Sequence, residues 1–543
     1  MARGRKGDTE ICNDAAVGEL RDLGRRLGVG TVTRRQLLGR AAALGISATA
    51  LSSLLPRVTL AQETPKRGGH LKVGLDGAGT SDSLDPASYT VFFMEILGQQ
   101  LYSQLVEVDE KGQVQPALAE SWEAKPGATE WRFKLRKDVV FHNGKKLTAA
   151  DVVYTLNYHR GKDSKSAARS LLEPVADVKA DGDSDVVITL NGGNADLPYL
   201  LADYHLCIGP EGTNFRDGIG TGAYALETFN PGVRAMTKKN PNFWRTDRGF
   251  VDSVETIAIN DPTARLSALL SGAVHLINRA DPKSAKLIAD SPHVQLYNAP
   301  SGGHPTFAMR CDTGPFQDNN LRLAMKYAID REDIIRRAML GFATVGNDTP
   351  VPSFDPVFAA DIPQRPYDPD KAKFYFQKAN PSAPITLDVC DGAFAGAVEA
   401  AQLFQASAAK AGITVQVSRD PNDGYWENVW RKVPFCASFW SPRPTADMIF
   451  SIAYRSDAPW NETYWKRPDF DKLLIEARAE LDQAKRKQMY HDLQLMVYED
   501  GGELVPMFVN LLDAGRSEVK GFVPSPRDQM SGLRAPERVW LES

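Results

Sequence analysis

Apolar and polar positions alternate through His70–Leu75, with Leu71, Val73 and Leu75 on one side of an extended chain. This predicts a short strand, and the turn-rich run Ser83, Leu84, Asp85, Pro86 follows it. The same period of two recurs where Trp131, Phe133 and Leu135 alternate with Arg132, Lys134 and Arg136, a strand with one buried face and one basic face in water. A third strand is predicted over 186–190, ended by Asn191, Gly192 and Gly193. Farther on, Ile385–Val389 reads as a strand, Ala397–Lys410 as an alanine-rich helix and 413–417 as another strand, with Gly412 placed to follow the helix C-terminus. That βαβ unit calls for parallel strands and a right-handed crossover. Helical runs over 321–329 and 331–340 join at Asp330, and runs over 470–479 and 483–499 join at Asp482 and stop at Gly501 and Gly502. The stretch 504–510 returns to strand. Interspersed strands and helices predict α/β or α+β lobes rather than a sandwich or a bundle. No internal repeat or long low-complexity linker occurs, so the lobes are expected to meet through crossing strands.

At 543 residues the chain exceeds one ordinary core and implies two or three units. A hydrophobic fraction of 43% with 24% charged residues is that of a soluble protein with sizeable cores. The net charge of −4 arises from 64 basic and 68 acidic residues spread along the chain, which argues against nucleic acid or an anionic membrane as partner. The first sixty residues stand apart. Thr33, Arg34, Arg35, Gln36, Leu37 and Leu38 resemble the twin-arginine export motif, and an uncharged, mildly apolar run over 41–55 follows. That run is shorter than the roughly 20 residues a membrane-spanning helix needs. Thr59, Leu60 and Ala61 then place small residues as a signal peptidase requires, so cleavage is expected near Ala61, with the periplasm as destination. In that oxidising compartment Cys207, Cys311, Cys390 and Cys436 allow one or two disulfides of undetermined connectivity, or act as small buried apolar groups. Their spacing matches no metal pattern.

Several blocks occur in a fixed order. Pro116, Ala117, Leu118, Ala119, Glu120, Ser121 and Trp122 precede the strand at Trp131. Val140, Phe141, His142, Asn143 and Gly144 lead to the run from Leu147 to Tyr154. Gly220, Thr221, Gly222, Ala223 and Tyr224 come before Asn240, Pro241, Asn242, Phe243 and Trp244. The run from Leu323 to Arg331 and the segment Tyr367, Asp368, Pro369, Asp370, Lys371, Ala372 follow. In this order and spacing the chain resembles the extracellular solute-binding proteins of the peptide/nickel group, family 5, that serve ABC importers. Most of these residues read as scaffold: Gly220 and Gly222 for a tight backbone path, Trp122 and Trp131 for a core, Asp151 and Asp330 for helix starts.

The resemblance implies an α/β, two-lobed, type II periplasmic-binding-protein fold with an extra subdomain in lobe I (cluster C). The expected organisation is a signal over 1–61, lobe I over 66–300 with the inserted subdomain at about 111–220, lobe II over 310–515, and a C-terminal segment over 516–543 that returns to lobe I. It further implies a cleft that closes on its ligand, a permease and ATPase as membrane partners, no cofactor, no catalytic or metal site, and a monomer.

In peptide-binding relatives a lobe II loop carries an acid that receives the peptide ammonium. By the spacing from Trp440, this chain has Arg443 there, a group suited to carboxylate or phosphate. Free-amine peptides are therefore not the expected main ligand, although Asp447 lies close enough in the loop to supply an acid after a small shift. Trp440, Trp460 and Asn461 are expected beside the ligand, and Tyr89 is expected to reach it from lobe I. Opines, sugars, organic acids and peptide-like molecules are the candidate ligands; ordinary di- or oligopeptides are the alternative. The competing function is an exported hydrolase or cofactor-dependent enzyme. It finds no Gly-x-Ser-x-Gly, His-Glu-x-x-His, Cys-x-x-Cys or phosphate-cradling glycine loop in the sequence. A periplasmic sensor or chaperone-like binder needs the same cleft and stays open.

Overall fold

The strand His70–Leu75 forms with Leu71, Val73 and Leu75 fully buried, and it pairs in parallel with Ser253–Ala258 and Leu276–Ile277. The structure, a computed structural model, describes residues 64–542. The twin-arginine motif at Arg34 and Arg35 and the expected cleavage near Ala61 lie outside the described residues.

Three main sheets organise the described chain. The first runs Val294–Pro300, Met507–Arg516, Leu276–Ile277, His70–Leu75, Ser253–Ala258, Arg234–Lys239, Tyr224–Asn230, with Ala343–Val345 added on Met507–Arg516. Helix Phe92–Leu101 lies against it and supplies Phe93, Ile96 and Leu97 to the shared core. The glycine path past this helix is steric in origin. A Cβ on Gly220 would stand 2.2 Å from the Leu101 carbonyl oxygen, and one on Gly222 would stand 2.3 Å from that of Gln100. The second sheet runs Val415–Arg419, Ile385–Val389, Phe435–Trp440, His304–Met309, Glu503–Leu504. Its first two strands are parallel and joined by helix Ala397–Lys410, and Gly412 takes the left-handed φ of 74° that ends a helix. The third sheet, antiparallel throughout, runs Ala119–Ala124, Glu130–Leu135, Asp185–Leu190, Val175–Asp181 and packs Trp131, Phe133 and Ile188 against Val152 and Leu156 of helix Ala149–His159.

The chain passes between the first two sheets four times: from Val294–Pro300 into His304–Met309, out to Ala343–Val345, back into Ile385–Val389, and from Glu503–Leu504 into Met507–Arg516. The strand expected over 504–510 is thus two strands in two sheets. Pro506 explains the break, since it has no N–H to give a ladder. This places the return to the first sheet ahead of the expected boundary at 515: Met507–Val509 pairs with Ala343–Val345, and from Asn510 onward the strand pairs with Val294–Pro300 and then Leu276–Ile277.

Asp330 caps helix Arg331–Arg337 by accepting from the Asp333 amide at 3.0 Å, and Asp482 caps Gln483–Asp500 through the Ala484 and Lys485 amides. The helix expected to reach 340 stops at Arg337, and left-handed φ angles follow at Leu340 and Gly341. Of the two readings of the cysteines the second holds among the described residues: Cys207, Cys311, Cys390 and Cys436 are all free. Burial pushes the Cys311 thiol up to about 11, so these groups behave as small apolar side chains.

Candidate ligand-binding cleft

Strand Phe435–Trp440 ends at the turn Ser441, Pro442, Arg443, Pro444, and Thr445 caps the following helix Ala446–Ala453 by accepting from the Met448 amide at 3.3 Å. Two prolines and a helix start hold this turn stiffly, so Arg443 is presented rather than folded away. It opens on a cleft of about 840 Å³ whose walls come from both lobes.

The arginines of the cleft differ in what they touch. Arg478 gives its Nε to both oxygens of Asp447 at 3.1 and 3.0 Å, Arg534 pairs with Glu537 at 3.0 Å, and Arg455 pairs with Asp457. Arg527 donates to the backbone carbonyls of Pro444 and Gly112. Arg443 reaches only carbonyls of its own turn, Ser441 at 3.4 Å and Pro442 at 3.3 Å, and has no carboxylate partner among the described residues. Burial lowers its pKa, while Tyr204 across the cleft acts in the opposite sense.

Asp447 is buried and committed. Besides Arg478 it accepts the Tyr490 hydroxyl at 3.2 Å. Burial raises its pKa and Arg478 opposes the rise.

The lobe I wall is acidic. Asp203 faces the His205 Nδ1 at 2.6 Å, and the His205 Nε2 donates to the Tyr89 carbonyl at 2.7 Å. Both ring nitrogens therefore face oxygen partners, which fixes the ring in place. The Tyr204 ring stacks on His205 at 4.2 Å, and its hydroxyl lies near enough to Glu95 to favour the ionised carboxylate. Burial, followed by repulsion from Asp528 and Asp203, pushes Glu95 up to about 8. Burial and Asp203 push Asp528 up to about 7.

Of the residues expected at the ligand, Arg443, Asp447 and Trp460 line the cleft and the others stand behind it. Trp440 is buried, gives its indole N–H to Glu462 at 2.9 Å, and leans on the exposed Trp460 ring at 6.1 Å. Glu462, itself buried, also accepts from Thr306 and the Trp430 indole, so this carboxylate sets the tryptophan positions. Asn461 spends its amide on the Tyr454, Arg455 and Trp465 carbonyls, tying a loop. Tyr89 is fully buried against Gly98, with its hydroxyl on the Leu84 carbonyl at 2.9 Å. The expectation that Tyr89 reaches the cleft gives way to this packing: Tyr89 orients His205 from behind.

Sequence reasoning did not single out Asp203, Tyr204, His205 or Asp528. The one local signal is the Ser525, Pro526, Arg527, Asp528 turn. What brings these groups together is the return of the C-terminal segment to the first lobe.

Two lobes joined by chain crossings between their sheets, with a cleft between them, define the class: a periplasmic-binding-protein fold. The family described as "Bacterial extracellular solute-binding proteins, family 5 Middle" matches residues 113–489, and the chain belongs to it. It is 24% identical over 467 residues to the glutathione-binding protein GsiB of Pectobacterium atrosepticum, spanning 82% of this chain and 90% of that protein. It is 28% identical over 476 residues to heme-binding protein A of Haemophilus influenzae, spanning 79% and 85%. Its fold is similar to that of the binding protein AgaA, solved with agropinic acid, from A. tumefaciens R10, with a TM-score of 0.70, 24% identity, and 88% and 99% of the two chains covered. The chain is therefore the solute-binding component of an ABC importer of this family.

Proposed function

We propose that this protein captures a small ligand bearing a carboxylate or another oxyanion, receives that group on Arg443, and delivers it to the permease and ATPase as a binding protein without catalysis. The observation that carries the reading is the Arg443 guanidinium, partly withdrawn from water on the cleft wall with no carboxylate partner. An oxyanion offers it two parallel charge-assisted hydrogen bonds, each worth roughly 1.5–3 kcal/mol. Asp447 cannot serve as a free acceptor for a peptide ammonium while Arg478 and Tyr490 hold it. The likeness to a protein solved with agropinic acid supports an acidic ligand.

The reading extends to location and build. Arg34 and Arg35 support twin-arginine export with cleavage near Ala61, followed by work in the periplasm as a monomer. Lobe I is assigned to 66–300 and the chain from Met507 onward, with the subdomain at about 111–220, and lobe II to the stretch between the first and the last crossing.

The test is a thermal-shift screen of the mature protein against peptides, opines, sugars, organic acids and metals, repeated with Arg443→Gln. Ligand at 100 times its Kd adds about 2.7 kcal/mol of stability. Organic acids or opines are expected to stabilise the wild type, and Arg443→Gln to remove the effect. Submicromolar binding of several unmodified dipeptides that survives Arg443→Gln refutes the reading.

A further inference from the structure

Asp528 lines the cleft on the lobe I side, and its carboxylate has neither a hydrogen bond nor an ion pair among the described residues. The charges around it do not satisfy it. Glu95 and Asp203 are acids, His205 is engaged by Asp203 and the Tyr89 carbonyl, and Arg527 spends its Nη donors on the carbonyls of Pro444 and Gly112. A second observation on the same wall points to a ligand. Gln99, only 3% exposed, lines the cleft one helical turn after Glu95. Its Oε1 accepts from Gln104 at 3.1 Å, which orients the amide, and its Nε2 has no partner. A buried N–H without an acceptor is costly, so a group that supplies one is favoured there. Tyr204 spans the interval between the walls: it lies near enough to Glu95 and to Arg443 to act on the charge of each.

We infer that the ligand is a small zwitterion, with its anionic end on Arg443 of lobe II and its cationic nitrogen on Asp528 of lobe I, next to an acceptor atom for Gln99. This rests on the reading of Arg443 as the oxyanion receptor. The polarity is opposite to a cleft that holds an ammonium on lobe II. A ligand with both charges joins both lobes, whereas a simple anion engages one, so the zwitterion favours the closed arrangement. The elevated pKa values of Glu95 and Asp528 agree with a site short of a cation, and a cationic nitrogen placed there draws the proton off Asp528.

The experiment measures binding by calorimetry and thermal shift for three matched probe sets. The first comprises free amino acids, their N-carboxyalkyl derivatives and γ-glutamyl peptides. The second comprises their N-acetyl forms, which keep the anion only, and the third their methyl esters, which keep the cation only. The wild type is expected to bind members of the first set best, with proton release at pH 7 seen as a dependence of the heat on buffer ionisation. Asp528→Asn is expected to weaken the zwitterions by about tenfold or more, leave the N-acetyl forms within about threefold, and reduce the proton release. Arg443→Gln is expected to weaken both. Retention of zwitterion affinity in Asp528→Asn, or N-acetyl forms that bind as well as their parents, overturns this inference alone. Unchanged binding in Arg443→Gln overturns the reading beneath it. A panel in which no zwitterion binds up to millimolar concentration overturns the inference as well.

Discussion

Replacing Glu95 with Gln should raise the stability of this protein in mildly alkaline solution and hardly change it in mild acid. Glu95 sits on helix Phe92–Leu101, 7% exposed, beneath Tyr204 and beside Asp203 and Asp528. Burial comes first and the neighbouring acids next in moving its carboxyl from an ordinary 4.5 to about 8. The folded state thus holds a proton that the unfolded chain releases. Below about pH 4.5 both states hold it and nothing is lost; as pH rises toward 8 the unfolded state gains the advantage, so folding weakens with pH. At about 1.4 kcal/mol per pH unit, the loss between about pH 5 and pH 7.5 is on the order of 3 kcal/mol. Gln has the same size, can accept the Tyr204 hydroxyl, and does not ionise. For a body of this length, with unfolding entropy of roughly 2 cal/mol/K per residue, a kilocalorie corresponds to about 1 °C, so the variant should unfold about 3 °C above wild type at pH 8 and within about 1 °C of it at pH 5. Differential scanning calorimetry of the mature protein at both values checks this. Parallel pH profiles for wild type and Glu95→Gln would refute the reasoning, because Asp528 and Asp513 contribute the same slope to both proteins.

Two further outcomes follow from other parts of the chain. Gly222→Ala forces a methyl group to 2.3 Å from the Gln100 carbonyl oxygen, so we expect a loss of about 2 kcal/mol or more and poor soluble yield, read by chemical denaturation; a variant as stable as wild type would show that the helix Phe92–Leu101 can move aside. Replacing Arg34 and Arg35 with Lys should leave the precursor in the cytoplasm, and cell fractionation that finds mature protein in the periplasm would count against the twin-arginine route.

Local chemistry was legible where one segment carries its own instructions. Alternation at His70–Leu75, helix capping by Asp330 and Asp482, and the glycine after Ala397–Lys410 each depend on neighbours a few residues away. The crossing strand was misjudged because 504–510 is uniformly apolar apart from Asn510, and periodicity does not say which sheet a residue joins; the missing N–H of Pro506 marks the break. Arg443 could be picked out because a loop between a strand end and a helix start must project something, and Trp460 because it stands in the segment between two helices. Whether a projecting charge is free is another matter, since a partner such as Arg478 for Asp447 lies 31 residues away.

By itself, then, the sequence determined the α/β elements, the order of family blocks, and the presence of the Arg443 cation in the loop after Trp440. Only the tertiary structure decided that Arg443 has no carboxylate partner among the described residues while Asp447 is held by Arg478, that Tyr89 supports His205 instead of meeting the cleft, and that Asp203 and Asp528 share one wall. The reason is physical: strands, caps and turns are set by local geometry, whereas the state of a charge depends on desolvation and on partners that arrive from distant parts of the chain.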